Sequence, residues 1–178
     1  MRNLLLSLAL AAVAAPVAAQ TDPMPASYKQ VQLAALKEQR RLLLAFADSM
    51  PERLYRDKVT PAQRSFSEQV QHAAGSAAMI SGGFASATRS RMAMQDTASA
   101  NGTRAGLKTF VNAAYDFAEA RLAAQTAADR GTTMDLFGNK MPGWQVWDEI
   151  NQHTMWTAGQ IVANFRKNGM APPAFGFF

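Results

Sequence analysis

The sequence predicts an all-α protein, a four-helix bundle that follows a cleavable signal peptide. Four segments repeat apolar residues at the 3.6-residue spacing of an amphipathic helix. No segment predicts a β-strand convincingly. The first residues have the pattern of an export signal, and residues 20–178 are long enough for one domain with a sizeable core.

The N-terminal segment predicts export. Arg2 supplies a positive charge, Leu4 to Val13 form an apolar run, and Val17-Ala18-Ala19 offer the small residues that a signal peptidase needs. Because the run is too short to span a bilayer, we expect cleavage before Gln20 and no stable membrane insertion afterwards. The expected location is periplasmic or secreted. The alternative is an uncleaved membrane anchor.

Composition excludes several kinds of chemistry. The chain has no cysteine, so it has neither disulfides nor thiolate ligands nor a cysteine nucleophile. Its net charge of +5 is modest, and its basic residues are spread out without interleaved aromatic residues. We therefore expect no binding to nucleic acid.

The first two predicted helices have well-marked ends. The first covers about residues 27–49 and ends at Met50-Pro51, because proline disfavours helix in the residue before it. The second begins at Ser65, whose spacing from Glu68 is that of a capping box, and ends near Gly82-Gly83. The predicted buried faces consist of Leu36, Leu43, Phe46 and Met50 in the first helix and Phe66, Val70, Ala73, Ala77 and Ile80 in the second.

The second pair of helices follows a polar connection at residues 86–103. The third helix is predicted over about residues 104–129, with a buried face of Leu107, Phe110, Val111, Ala114, Ala118 and Leu122. Residues 131–141 are predicted to form a loop with a tight turn at 137–140. The fourth helix is expected from Pro142 to Asn168, with Gly169 after its end and Pro172-Pro173 beyond. These helices predict an antiparallel-type bundle without a second domain.

Two motifs carry a family resemblance. The stretch TPAQRSFSEQVQH, Thr60 to His72, resembles the second-helix motif of DinB-like (YfiT-like) proteins. The stretch HTMWTAGQ, His153 to Gln160, followed by Asn168-Gly169 and Pro172-Pro173, resembles their last-helix motif. The resemblance covers about residues 27–173. It implies a four-helix bundle that holds a divalent metal with three histidines, one from the second helix and two from the last.

The resemblance assigns the only two histidines, His72 and His153, as metal ligands. The family's third ligand is a histidine four residues after His153, where this chain has Thr157. Imidazole is a usual ligand of zinc and nickel, so one of these ions is the expected cofactor. A threonine hydroxyl is a poor ligand. The site is therefore expected to be weak or degenerate.

Three further residues are candidates for the same site. Glu149 precedes His153 by four positions, and Glu68 precedes His72 by four, so either carboxylate could substitute for the missing ligand. The capping box is the more usual role for Glu68. Gln160 is expected to line the pocket, where it either forms a hydrogen bond with a ligand or packs.

Two functional interpretations stay open. The first is an exported metal-dependent hydrolase or transferase acting on a small substrate, as the resemblance implies for some relatives. The second is a non-catalytic bundle that lost the third histidine and acts as a binding or structural protein. No catalytic residue can be named. The expected partners are a small-molecule ligand and a second copy of the chain in a homodimer.

Aromatic residues near the C-terminus have two alternative roles each. Trp144, Trp147 and Trp156 are expected to pack in the core or to form a wall for an apolar substrate. The apolar tail at 175–178 is expected to dock on the bundle or on a second subunit.

Overall fold

The chain is mostly helical, as the sequence predicts. The structure, a computed structural model, describes residues 26–82 and 100–176. The first long helices are α1 (Ala26–Ser49), α2 (Phe66–Ser81) and α3 (Arg104–Ala124), with a 3-10 helix at Glu52–Leu54. Then come the short α4 (Ala127–Gly131), a hairpin of β1 (Thr133–Leu136) and β2 (Asn139–Pro142), and α5 (Gln145–Lys167). The predicted signal peptide and most of the predicted connection at 86–103 lie outside the described residues.

The buried faces of the helices are those that the periodicity predicts. All of the apolar residues predicted above for the core faces of α1, α2 and α3 are buried. From α5, Phe165 packs between Phe46 of α1 and Phe66 of α2, with ring centroids 5.6 and 5.9 Å apart. Aromatic pairs of this kind contribute about 0.5–1.5 kcal/mol each beyond the area they bury. Phe165 thus fastens three helices together.

Several predicted helix ends are confirmed. The Ser65 side chain accepts from the Glu68 backbone, and the Glu68 carboxylate accepts from the Ser65 backbone, which completes the predicted capping box. The first helix ends at Ser49, just before Met50-Pro51. Gly169 follows the last helix with φ 68°, a left-handed conformation that glycine adopts without steric cost.

Two predicted boundaries are wrong. The third helix ends at Ala124 rather than near residue 129, because Gln125 is extended and Thr126 forms a new capping box with Asp129. A separate short helix therefore begins there. The last helix starts at Gln145 rather than at Pro142, which belongs to β2.

The expectation that the chain has no strand is also wrong. Residues 133–142 form a two-stranded antiparallel hairpin rather than a loop. Its two-residue turn is Phe137-Gly138, with φ values of 55° and 86°, which suits the twist of a tight hairpin. The predicted tight turn is thus confirmed. Its strands escaped detection because four residues are too few to show a strand period.

Contacts along α5 fix its direction relative to its neighbours. Pairs between α1 and α5 rise together along both helices: Gln32 with Asp148, Gln39 with Asn151, and Phe46 with Phe165. These two helices are therefore parallel. Pairs between α2 and α5 run in opposite order: Phe66 with Phe165, Gln69 with Gln160, and His72 with His153. These two helices are therefore antiparallel.

Contacts near the two ends of α3 fix its direction relative to α1 and α2. Pairs between α1 and α3 run in opposite order: Lys29 with Ala123, Gln39 with Tyr115, and Asp48 with Lys108. Just before α3, Asn101 contacts Ser67 and Gln71 near the start of α2. The helices α1 and α3 are therefore antiparallel, as are α2 and α5, whereas α1 runs parallel to α5 and α2 runs parallel to α3. Within residues 26–82 and 100–176, no helix is both long and apolar enough to cross a membrane.

Candidate functional site

Polar side chains line the interface where α2 packs against α5. Residues spaced by 4, 3 and 4 positions share one face of a helix, and each of these helices carries such a polar stripe. We call the two stripes together the polar seam; its members are Ser65, Gln69, His72 and Ser76 on the α2 side and His153, Thr157, Gln160 and Asn164 on the α5 side. Two contacts cross it, one between the histidines and one between the glutamines.

The two histidines meet in this seam, although 81 positions separate them in the chain. Their Nε2 atoms lie 3.2 Å apart, and the ring planes are inclined by 71° with centroids 4.9 Å apart. The prediction that His72 and His153 share one location is therefore confirmed. Two nitrogens bound at 2.0–2.1 Å to one tetrahedral ion would lie about 3.3 Å apart. The observed separation is compatible with that arrangement and with a single N–H···N hydrogen bond.

Burial keeps both imidazoles neutral. It is the largest cause that lowers the pKa of His72 to about 4, and the charges of Arg64 and His153 lower it further. The pKa of His153 is also lowered, again chiefly by burial and then by the charge of Arg64. Neutral imidazole is the form that can bind a metal ion. Near neutral pH, neither ring needs to lose a proton first.

The outer nitrogen of His153 lacks support. Its Nδ1 is buried and has no hydrogen-bond partner in the part of the chain that the structure describes. A metal-ligating histidine usually donates its second N–H to a carboxylate, a carbonyl or water, which fixes the ring and raises its basicity. The absence of such an acceptor indicates a weakly supported ligand.

A third strong ligand is also lacking. Among the described residues, no third histidine, cysteine, aspartate or glutamate joins the pair to form a group that could hold a metal ion. Thr157 is buried at 1% exposure on the same stripe as His153, one turn further along α5. The Glu68 carboxylate accepts from Ser65 in the capping box, and that of Glu149 accepts from Gln145 at 3.4 Å. Neither predicted substitute completes the set.

Gln160 pairs across the seam with Gln69, a residue for which the sequence predicted no role. Its Oε1 accepts a hydrogen bond of 2.9 Å from Nε2 of Gln69 on α2. Gln69 Oε1 and Asn164 Oδ1 are buried, and neither has a donor among residues 26–82 and 100–176. A buried acceptor left without a donor costs about 1–3 kcal/mol. The sequence could have identified these residues by their polar side chains, which repeat at the same spacing on two helices whose inward faces are otherwise apolar.

The three tryptophans do not form one wall. Trp147 is buried and donates to Gln125 Oε1 at 3.0 Å, which ties the start of α5 to the end of α3. Trp144 meets Tyr28 edge-on, with centroids 6.3 Å apart. Trp156 is 75% exposed. The core-packing interpretation therefore holds for Trp147 alone.

The C-terminal tail docks on its own chain. The Arg41 guanidinium on α1 donates to the Ala174 carbonyl at 3.4 Å, and the Gly176 backbone donates to the Glu38 carboxylate. This hydrogen bond and the stronger one from Arg41 lower the pKa of Glu38. The tail was predicted to dock either on the bundle or on a second subunit, and α1 is its docking site up to residue 176. Residues 177 and 178 lie outside the described part.

A cavity of about 410 Å³ lies at the start of α2, lined by Arg56, Lys58, Ser65, Ser67, Glu68 and Asn101. It resembles the anion sites that form at helix N-termini, where free N–H groups point at the ligand. Here the Phe66 and Ser67 amides donate to backbone carbonyls at 3.0 and 2.9 Å. With those donors in use, the cavity does not provide such a site.

No protein-family model matches this chain, and no curated protein matches it. Membership of the DinB-like family therefore stays a prediction that rests on the two motifs.

Proposed function

We propose that this chain is an exported DinB-like four-helix bundle that binds a divalent cation, zinc or nickel, weakly between His72 and His153. The observation that carries the proposal is the 3.2 Å separation of the two Nε2 atoms. That distance suits two donors on one ion, and both rings are neutral near pH 7 because burial lowers both pKa values. The antiparallel pairing of α2 with α5 supports the bundle.

The proposal includes export and a small-molecule ligand. Residues 1–19 support a cleaved signal peptide and therefore a periplasmic or secreted location. A bound divalent cation would supply Lewis-acid polarisation of a substrate oxygen, the chemistry of metal-dependent hydrolases and transferases. Arg64 is exposed and its charge reaches both imidazoles, so an anionic substrate is favoured over a cationic one.

A second candidate is a non-catalytic bundle that binds a ligand or serves a structural role. Two observations favour it. No third histidine, cysteine or carboxylate joins the pair among the described residues, and within that same part Nδ1 of His153 has no acceptor. Catalytic zinc sites generally have three protein ligands and an open position. The two candidate functions differ in whether the histidine pair binds a metal ion tightly enough to support catalysis.

The deciding experiment restores the family's third histidine. Thr157→His would add an imidazole one helical turn from His153 on the face that meets α2. We expect calorimetric titration with zinc or nickel to show at least about a tenfold gain in affinity, about 1.4 kcal/mol. Gln152→His adds the same group to an exposed position of α5 and is the matched control. Circular dichroism verifies that each variant is folded.

Each outcome has a clear meaning. A gain in Thr157→His but not in Gln152→His supports the metal site and its frame. Tight binding by the wild type that Thr157→His does not improve would mean that another donor already completes the set. No binding by either protein would overturn the metal proposal and leave the non-catalytic bundle.

A further inference from the structure

Gln69 is buried in the polar seam with only half of its amide in use. Its side chain is on a residue of 2% exposure, and its Nε2 donates to Gln160 Oε1 at 2.9 Å. Its Oε1 is buried too and has no donor from any described residue. The bond to Gln160 fixes the orientation of the amide, so this oxygen is held in place without a protein partner. A carbonyl oxygen in this state is available to a ligand that accepts electron pairs.

Gln69 lies beside His72 on the same face of α2, and this position favours a cation as the ligand of its oxygen. Gln69 precedes His72 by three positions on the same face of α2, and residues at this spacing are neighbours. The glutamine contact and the histidine contact bracket one residue of the α5 stripe, Thr157. Gln69 therefore lies across the seam from the place where the family's third histidine would stand.

We infer that Gln69 Oε1 is the third ligand of the divalent cation. It comes from α2, whereas the family's third ligand would come from α5. This inference rests on the proposed function. Amide carbonyl oxygens coordinate divalent cations as neutral donors, and two imidazoles with one oxygen leave a position open. Coordination draws electron density from the amide, so Nε2 becomes a stronger donor to Gln160, and the two contacts reinforce each other.

Asn164 does not compete for this role, although its Oδ1 is also buried and lacks a donor within the described residues. It stands eleven positions beyond His153 on α5, roughly 16 Å along the axis at about 1.5 Å per residue. Gln69 is displaced from His72 by only about 4.5 Å on the same scale. Of the two amide oxygens in the seam that lack a donor among the described residues, that of Gln69 belongs to the residue nearer to the histidines along the helix axes.

The test compares zinc and nickel affinities of the chelator-treated wild type with those of three variants. Gln69→Leu removes the oxygen and should weaken binding about tenfold. Gln69→Glu places a carboxylate there and should strengthen binding by at least about tenfold. Gln152→Glu is the matched control, since it adds the same charge to an exposed position of α5 beside His153 and leaves the bond between Gln69 and Gln160 intact. It should stay within about twofold of the wild type.

A second readout reports on the ligand set directly. The visible spectrum of the cobalt-loaded protein should change in Gln69→Leu and remain that of the wild type in Gln152→Glu, because only the former loses a donor atom. Circular dichroism at each step verifies the fold, and Gln69→Glu, which keeps a polar group in the seam, decides the question if Gln69→Leu does not fold.

Three results overturn the inference. One is wild-type affinity in Gln69→Leu together with loss of binding in His72→Ala, which leaves the proposed metal site standing. Another is an equal gain in Gln69→Glu and Gln152→Glu, which would show an effect of charge alone. The third is no binding by the wild type or by Thr157→His, in which case the proposed function fails as well.

Discussion

Gln39 joins three helices through one buried and one part-buried hydrogen bond, and its replacement should destabilise the protein strongly. The residue is 1% exposed on α1. Its Nε2 donates to Asn151 Oδ1 on α5, and its Oε1 accepts from the Tyr115 hydroxyl on α3 at 3.2 Å. Tyr115 is fully buried, and burial raises the pKa of its hydroxyl. The hydroxyl therefore stays protonated and acts as a donor.

Gln39→Leu removes both bonds at nearly constant volume. The buried Tyr115 hydroxyl and the part-buried Asn151 Oδ1 then lose their partner. A buried group left in this state costs about 1–3 kcal/mol, and the lower end applies to the part-buried one. The apolar burial of leucine offsets part of the sum. We therefore expect the free energy of unfolding to fall by about 2–4 kcal/mol, a large part of the 5–15 kcal/mol typical of a domain. Tyr115→Phe, which removes the donor to Gln39 Oε1 and the contact with Thr154, should cost about 1–2 kcal/mol.

Urea unfolding followed by circular dichroism measures these free energies. The double variant should lose less than the sum of the single losses by about 1 kcal/mol, because the bond between the two residues is counted once in each single variant. Gln152→Leu makes the same chemical change at an exposed position of α5 and should stay within about 0.5 kcal/mol of the wild type. Strict additivity, or a loss in Gln39→Leu as small as that of Gln152→Leu, would refute the reasoning.

Two further predictions concern acid stability and export. Between pH 6.5 and pH 4 the chelator-treated protein should lose stability, because the pKa of His72 is about 4 when folded and about 6.5 when unfolded. The unfolded chain therefore binds more protons throughout this window. Thermal unfolding of His72→Gln should show a smaller loss over the same range, and an equal loss would contradict the assignment. Intact-mass measurement of the exported protein should show that residues 1–19 are removed; a full-length, membrane-bound species would contradict this.

The elements that could be predicted from the sequence are helices whose apolar residues repeat over several turns and helix starts that a capping box marks. Phe66, Val70, Ala73 and Ala77 repeat at helical spacing over three turns, and their burial follows from that pattern alone. The capping box at Ser65 is a local arrangement of two side chains and two backbone N–H groups, so four residues suffice to specify it. The closeness of the two histidines was predicted from the family resemblance. No local sequence pattern could predict it, because 81 positions separate them.

The features that were not predicted are of two kinds. Some are short local breaks in a helical pattern, and others are set by contacts between residues far apart in the chain. Thr126 and Asp129 form a capping box as good as that at Ser65, but it lies inside a continuous helical pattern and was not recognised as a break. The parallel course of α1 and α5 is fixed by contacts such as Gln39 with Asn151, more than a hundred positions apart. Helical periodicity identifies a buried face but not the neighbour that covers it, so direction could not be derived from it.

The two polar faces of α5 differ in how far their polar groups are satisfied by hydrogen bonds. Towards α1, Asp148 accepts from Tyr28 and Gln32, and Asn151 bonds to Gln32 and Gln39. Those groups satisfy one another, as in networks that fix how helices align. Towards α2, His153 Nδ1, Asn164 Oδ1 and, across the seam, Gln69 Oε1 lack partners in the described chain.

A solely structural interface gains nothing from unpaired buried atoms, since each one destabilises the fold. A ligand that binds only the folded state and pairs with such an atom recovers that free energy and stabilises the protein in proportion to its concentration and affinity. Of the unpaired atoms in the seam, the oxygen of Gln69 is the one whose residue neighbours the histidine pair. The energetic cost of this unpaired oxygen and its place beside the histidines thus favour the same ligand atom, and the cation titrations test both at once.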